Sequence, residues 1–101
     1  DKPYILSRFK SIPPSYFKNK LVNLHIHSEC SDGRLEVSQI YEQAKNKGKK
    51  VIAISDHDTL LHLNEEELYS DFARKNGIEV IRAVELSTRD HGALIHLLIY
   101  L

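Results

Sequence analysis

Four short apolar runs recur along the chain, and each carries a metal-type ligand at or near its end. They lie at residues 21–26, 51–54, 78–85 and 94–101. Apolar residues at helical spacing separate the first three runs. Strands that alternate with helices of this length indicate βαβ units and a mainly parallel sheet. Because polar side chains at successive strand ends meet on one rim, the pattern predicts an α/β fold with a site there.

A helix is predicted between the first two runs. Its apolar positions are Val37, Ile40, Tyr41 and Ala44. Gly48 follows as a C-terminal stop. The run at residues 21–26 is nearly all apolar, which predicts a strand buried on both faces.

A second helix is predicted between the second and third runs. Asn64 is in position to cap it, and three glutamates follow in what would be its first turn, where they favour the helix dipole. Its apolar face would consist of Leu68, Tyr69, Phe72 and Ala73. Asn76-Gly77 would end it. The third strand is then expected at residues 78–85 and the fourth at residues 94–101, in the same parallel arrangement.

Bulk composition is that of an ordinary globular protein. The chain has 101 residues, with 42% hydrophobic and 28% charged, which bounds it to one small domain. No apolar stretch approaches the roughly 18–20 residues of a membrane helix, so no membrane partner is expected. The single cysteine, Cys30, cannot form an internal disulfide and fits a reducing cytoplasm.

Residues 1–20 are interpreted as a basic lead-in segment, and residues 21–101 as the domain. Five of the fourteen Lys and Arg residues lie in that segment against one acid, Asp1. A solvated tail explains this more readily than a nucleic-acid or phosphate-rich partner. Pro13-Pro14 forbids a helix through that point and imposes extended geometry on the neighbouring residue. The absence of methionine and the apolar run that reaches Leu101 predict a piece of a longer structure.

The first group of candidate ligands is His25-x-His27. Side chains two apart on a strand share a face, with Cα atoms roughly 6.5–7 Å apart, so both imidazoles can reach one cation. Asp32 follows in a Ser-Asp-Gly turn that can fold it back to the rim. An isolated His-x-His is more often a surface or packing pair than a metal site. The further candidate ligands along the chain make a metal site the better interpretation here.

The second group follows the other runs. Asp56-His57-Asp58 places an imidazole and two carboxylates directly after a buried strand, Glu85 closes an apolar strand, and His96 lies within another. Mixed imidazole and carboxylate ligands suit Mn, Fe or Zn. Sites with two or three such cations bind phosphate oxygens and supply a hydroxide near neutral pH, which favours hydrolysis of a phosphate ester.

These motifs, taken in order, resemble the PHP (polymerase and histidinol phosphatase) family. The matching segments are Val22-Asn23-Leu24-His25-Ile26-His27-Ser28, Ser31-Asp32-Gly33, Ala53-Ile54-Ser55-Asp56-His57-Asp58-Thr59, Val84-Glu85-Leu86-Ser87 and His96-Leu97-Leu98. The resemblance implies a partial, distorted (β/α)7 barrel, truncated after about four strands. It also implies a phosphoesterase site with two or three divalent metal ions on the C-terminal rim.

The resemblance carries ligand roles to particular positions. His25, His27 and Glu85 would share one metal, Glu85 and His96 a second, and Asp32 and His57 a third. Asp56 and Asp58 would orient ligands or water from behind. Asp32, where some members have histidine, resembles the branch that hydrolyses nucleoside bisphosphates and short oligonucleotides. His62 and His91 match no family role and are expected to be surface or loop residues.

The leading hypothesis is therefore a metal-dependent phosphoesterase acting on a phosphorylated small molecule or short nucleic acid. Each implied metal would lack a ligand that the family takes from later strands, so the remainder of the barrel or another chain is an expected partner. One alternative is a non-catalytic PHP module that serves as a scaffold or interaction domain. Others are a histidinol-phosphatase-type or an amidohydrolase-type metal hydrolase.

Overall fold

The first described element is a short helix that the sequence did not predict. The computed structural model describes residues 12–101, apart from the side chain of Asp90, so most of the predicted lead-in segment lies outside the described residues. Helix α1, Pro14–Lys18, starts directly after Pro13. The expectation at Pro13-Pro14 is confirmed, because Pro13 is extended (φ −59°, ψ 136°) and no helix passes through it. The helix begins at Pro14, since proline suits the first helical position, where no intrahelical N–H bond is needed. No helix within residues 12–101 has the length and apolar character to cross a membrane.

Three parallel strands form the main sheet. They are β1 (Val22–Ile26), β2 (Val51–Ile54) and β3 (Glu79–Val80), in the order β1-β2-β3. All four residues of β2 are buried, as expected for a central strand of a parallel sheet. The prediction that the first strand is buried on both faces is wrong. Within the described residues β1 is an edge strand, and its residues alternate between half-buried and exposed.

Helix α2, Val37–Asn46, confirms the first predicted helix. Its four predicted apolar residues are the ones that are buried. A capping box between Glu36 and Gln39 fixes its start. Gly48, with φ +69°, takes the left-handed conformation that stops the chain from continuing as helix.

The second predicted helix is two helices, α3 (Leu61–Leu68) and α4 (Ser70–Lys75). The prediction that Asn64 caps this helix is wrong, because Asn64 lies inside α3. The N–H of Leu61, the first residue of α3, donates a hydrogen bond to the Thr59 hydroxyl at 3.2 Å. The chain bends between them at Tyr69 (φ −111°, ψ 15°). Leu68 is 74% exposed, so its predicted place on the apolar face is wrong. The predicted end at Asn76-Gly77 is confirmed.

A β-hairpin replaces the predicted third and fourth parallel strands. The expected strand at residues 78–85 divides into β3 and β4 (Ala83–Asp90), with the exposed Arg82 in the gap. Strand β5, Ala93–Tyr100, pairs antiparallel with β4 along its whole length. Only the turn at residues 91–92 joins them, whereas a parallel crossover needs a dozen residues or more. The α/β class is confirmed, but the sheet is not parallel throughout.

Two apolar clusters hold these elements together. One cluster joins α2 and α4 to β2, and the other joins Ile12, Val51, Ala53, Ile81 and Ala83. Tyr100 packs against the second cluster and donates its hydroxyl hydrogen to the Leu24 carbonyl at 2.9 Å. This bond fixes the end of the hairpin beside β1, so residues of β4 and β5 come close to the end of β1.

Candidate metal centre

Glu85 joins the first two predicted ligands. His25 lies in β1 and His27 directly after it, and the Nε2 atom of each lies 2.8 Å from Glu85 Oε1. Glu85 itself is 5% exposed. The two imidazoles therefore converge on one carboxylate oxygen that strand β4 supplies.

Backbone pairing places His57 next to Glu85. The two residues form a parallel β-bridge. The Glu85 N–H donates to the Asp56 carbonyl at 3.0 Å, and the Asp58 N–H donates to the Glu85 carbonyl at 2.8 Å. The loop after β2 is thus attached to β4 at the level of the candidate centre.

Close packing of Gly33 folds Asp32 back onto the site. A Cβ atom at position 33 would lie 2.1 Å from the His27 carbonyl oxygen, so only glycine fits there. The Gly33 N–H donates to the Ser28 carbonyl at 2.9 Å. The two carboxylate oxygens of Asp32 then reach 3.1 Å from His27 Nδ1 and 3.3 Å from His57 Nε2.

His96 completes the arrangement from β5. Its Nδ1 lies 3.4 Å from Glu85 Oε2 and 3.3 Å from the Ser87 hydroxyl. Its side chain is 47% exposed, which leaves this flank of the centre open to solvent.

The environment of Glu85 favours its ionised form. Burial acts to raise its pKa, but the hydrogen bonds from His25 and His27 and the charge of the nearby His57 outweigh burial and lower the pKa below its ordinary value. Glu85 is thus held as a carboxylate, the form that binds cations.

All six predicted ligands fall into overlapping groups that suit cation binding. Within each group, one nitrogen or oxygen atom per residue lies within 4.8 Å of the others. The groups are His25, His27 and Glu85; His27, Asp32 and His57; and His57, Glu85 and His96. Imidazole nitrogens with carboxylate oxygens form the donor set of Zn, Mn and Fe sites. The residues present therefore fit divalent metal ions.

Asp56 and Asp58 lie outside these groups and contact the backbone around them. Asp56 is fully buried, and its carboxylate accepts hydrogen bonds from the Ser28 N–H at 2.5 Å, from the Ser28 hydroxyl, and from the Ser31 hydroxyl at 2.8 Å. Asp58 accepts a hydrogen bond from the Ser87 N–H at 2.8 Å. Nothing in the sequence assigned a role to Ser28 and Ser31, which both donate hydrogen bonds to Asp56.

His62 was also missed, and its predicted surface position is wrong. Its side chain is 0% exposed, with Nε2 2.7 Å from the Ala83 carbonyl oxygen and Nδ1 3.4 Å from Asp56 Oδ2. Because α3 begins three residues before Asn64, His62 falls on the buried side of the helix. The four-residue spacing between His62 and Glu66 was the available signal, since both lie on one face of a helix. His91 is exposed in the hairpin turn, as predicted.

Two curated proteins are similar in sequence to most of this chain. The 5'-3' exoribonuclease of Haemophilus influenzae is 40% identical over 78 residues, which are 77% of this chain and 27% of that protein. The phosphoribosyl 1,2-cyclic phosphate 1,2-diphosphodiesterase of Eggerthella lenta is 32% identical over 78 residues, covering 75% of this chain and 29% of that protein. The chain thus spans less than a third of the length of either relative.

A solved structure and a family model extend the match. The crystal structure of a protein from Bifidobacterium adolescentis, assigned as a metal-dependent phosphoesterase, superposes with a TM-score of 0.68 at 26% identity. The superposition covers 78% of this chain and 27% of that one. The family model described as the PHP domain matches residues 23–101, so this chain belongs to the PHP domain family.

Proposed function

We propose that this chain supplies the metal centre of a phosphoesterase that hydrolyses a phosphate ester of a nucleotide or short oligonucleotide. The observation that carries the proposal is the position of Glu85, which lies within 4 Å of the imidazoles of His25, His27, His57 and His96. A packing glutamate would need one partner. Four imidazoles around one carboxylate, with Asp32 beside them, suit a centre with more than one cation.

Each candidate ligand has a place in such a centre. His25, His27 and Glu85 would hold one ion, Glu85 and His96 a second, and Asp32 and His57 a third, the ions being Mn, Fe or Zn. When bound, divalent ions of this kind activate water and neutralise negative charge on a phosphate. Any ligand missing from these sets would come from the remainder of a longer protein or from another chain.

The protein's own side chains hold this centre in shape. Asp56 orients the backbone next to His27 through the Ser28 N–H, and Asp58 holds Ser87 two residues after Glu85. The side chains of His25 and Asp32 are 52% and 64% exposed, which leaves the open side of the centre accessible to a phosphate group. Asp56 and Asp58 are thus proposed as residues that position ligands and water.

Support for a nucleotide substrate comes from one relative and from Asp32. That relative is named as a 5'-3' exoribonuclease, while the other, named as a phosphoribosyl 1,2-cyclic phosphate 1,2-diphosphodiesterase, supports phosphoesterase chemistry only. Asp32 is the position that distinguishes the nucleotide-hydrolysing branch in the resemblance described above. Free Cys30 is compatible with a reducing cytoplasm, which we propose as the location. Residues 1–20 are proposed as a lead-in segment before the domain.

The proposal is tested first by metal content. The chain is purified without chelator and analysed by elemental mass spectrometry beside the double variant His25→Ala, His27→Ala. Stoichiometric Mn, Fe or Zn is expected in the parent, with loss of at least one equivalent in the variant, because two of the three ligands of one ion are removed. His91→Ala, on the exposed hairpin turn, is the matched control and should keep the full complement.

Activity is measured next on the metal-loaded chain. A nucleoside bisphosphate and a short oligoribonucleotide should be hydrolysed in preference to histidinol phosphate. A metal-loaded chain that prefers histidinol phosphate would overturn the nucleotide assignment. A folded chain that binds no metal would favour the scaffold alternative, which the exposed Leu86, Leu94 and Leu97 of the hairpin also support.

A further inference from the structure

Helix α3 buries two ionisable residues and exposes two of its three leucines. Within α3 the buried side chains are those of His62 and Glu66, while Leu61 is 63% and Leu68 is 74% exposed. Burying a polar group costs free energy unless it forms hydrogen bonds, and an apolar residue would fill the same space at lower cost. Burial of these two polar residues in α3 is therefore favourable only if each of them has polar partners inside the protein.

The imidazole of His62 lies between two acceptors. Nε2 lies 2.7 Å from the Ala83 carbonyl oxygen, which only accepts, so Nε2 carries a hydrogen and donates it. Nδ1 lies 3.4 Å from Asp56 Oδ2, an approach that does not meet hydrogen-bond geometry. A hydrogen on Nδ1 would be attracted to this carboxylate, and a lone pair would be repelled.

These two acceptors belong to the two segments that form the candidate centre. Asp56 precedes His57 and accepts hydrogen bonds from Ser28, the residue after His27. Ala83 begins β4, two residues before Glu85. His62 thus connects the loop that carries His57 to the strand that carries Glu85, from the buried side.

We propose that His62 is a positioning residue, which holds the Asp56–Asp58 loop against β4 so that His57 and Glu85 face the same cations. The proposal deepens the proposed function and rests on it for the identity of the ligands. No metal-type contact of His62 itself is required, since it lies outside the three ligand groups.

The first test is amide hydrogen exchange, measured by NMR on the full metal-free chain. Two hydrogen bonds join the loop to β4, one from the Asp58 N–H and one from the Glu85 N–H. In His62→Leu, which keeps a similar volume and removes the Nε2–H donor, these two amides should exchange at least 10-fold faster than in the parent. In His62→Gln, whose amide can still donate to Ala83, exchange should be intermediate.

Tyr41→Phe is the matched control. It removes a buried hydrogen bond from the same face of α3, the one from the Tyr41 hydroxyl to Glu66 at 3.0 Å, without touching Asp56 or Ala83. The two amides should exchange at the parental rate in this variant. Equal rates in His62→Leu and the parent would overturn the proposal, and so would equal acceleration in Tyr41→Phe. If both His62 variants are unfolded by circular dichroism, His62 supports the whole fold and the proposal also fails.

The second test is Mn²⁺ affinity by calorimetry. His62→Leu should bind Mn²⁺ about 10-fold more weakly or worse, as expected when a group behind the ligands is removed, and Tyr41→Phe should stay within about twofold of the parent. Parental affinity in His62→Leu would overturn the positioning role while leaving the metal centre intact. A parent chain that binds no Mn²⁺ would count against the proposed function, and the exchange experiment would still decide the role of His62.

Discussion

At the scale of single residues, the candidate centre depends on a few close approaches. Glu85 contacts imidazoles through both carboxylate oxygens, so a shift of β4 by one residue would exchange it for a side chain on the opposite face. Gly33 is equally constrained, because the carbonyl of His27 occupies the space that a side chain would need. The position of Asp32 therefore follows from the absence of a Cβ atom at its neighbour.

Replacing Gly33 with alanine should displace Asp32. The new methyl group would meet the His27 backbone at 2.1 Å, so the turn must move away from it. We expect a loss of about 2 kcal/mol in the free energy of unfolding and a roughly 10-fold weaker affinity for Mn²⁺. Urea titration and calorimetry measure the two effects.

Gly48→Ala provides the comparison for this variant. Its φ of +69° makes alanine strained, but no atom lies within 4 Å of the added methyl group, and the site is remote from the centre. This variant should lose about 1 kcal/mol and keep parental Mn²⁺ affinity. Equal affinities in both alanine variants would show that the Ser31-Asp32-Gly33 turn does not shape the centre.

The ligand types at strand ends were readable from the sequence, whereas the residues behind them were not. Two apolar runs of clear strand character carry His25, His27 and His57 at or near their ends. The convergence of these three imidazoles on one rim of the sheet could therefore be predicted. His62 could not be placed, because its burial depends on where α3 begins. Ser28 and Ser31 are common turn residues, and only the distance to Asp56 identifies their role.

At the scale of elements, α3 is where local sequence signals were least reliable. Asn64 followed by three glutamates has the composition of a helix start, yet Thr59 and Leu60 precede the actual first turn. The apolar pattern of α2 and β2 is strong, so the buried residues of α2 and the bounds of β2 were predicted correctly. The division between β3 and β4 was not predicted, because a single charged residue, Arg82, within an apolar run does not by itself indicate that a strand ends.

Glu66 makes the free energy of unfolding of the chain depend on pH. Burial raises its pKa to about 7, although the hydrogen bond from Tyr41 and the charge of Arg82 oppose the rise. Because the folded-state pKa lies above the unfolded value, the folded state binds more protons between those two values. Stability is therefore greatest below the unfolded pKa and falls as the pH rises through about 7, by about 3 kcal/mol in total.

Glu66→Gln should remove this contribution, since glutamine does not titrate. The difference in free energy of unfolding between the parent and this variant should change by roughly 3 kcal/mol between pH 4 and pH 8, in favour of the variant at pH 8. Urea unfolding with chelator present measures it. Glu67→Gln, on the exposed side of α3, should follow the parent at both pH values. A constant difference between the parent and Glu66→Gln would refute the assignment.

At the scale of the whole molecule, the candidate ligands come from two different sheets and the loops next to them. His25 and His27 belong to the parallel sheet and its edge, while Glu85 and His96 belong to the hairpin. Tyr100 bonds to Leu24, the loop after β2 bonds to β4, and the second apolar cluster joins the same two units, but β1–β3 and β4–β5 remain two distinct sheets. The α/β class followed from the sequence, and the antiparallel hairpin did not, since its two-residue turn carries no strong signal beyond Gly92.

Cations bound between the two sheets should therefore act as a crosslink that stabilises the folded chain. A ligand that binds only the folded state adds about 2.7 kcal/mol when its concentration is 100 times its dissociation constant. Adding Mn²⁺ at that ratio should raise the melting temperature of the parent, and excess chelator should reverse the shift. His96→Ala removes a ligand from the hairpin and should reduce the shift, whereas His91→Ala, in the adjoining turn, should preserve it. If His96→Ala and the parent respond equally to Mn²⁺, the ions do not bridge to β5, and the role proposed for His96 is wrong.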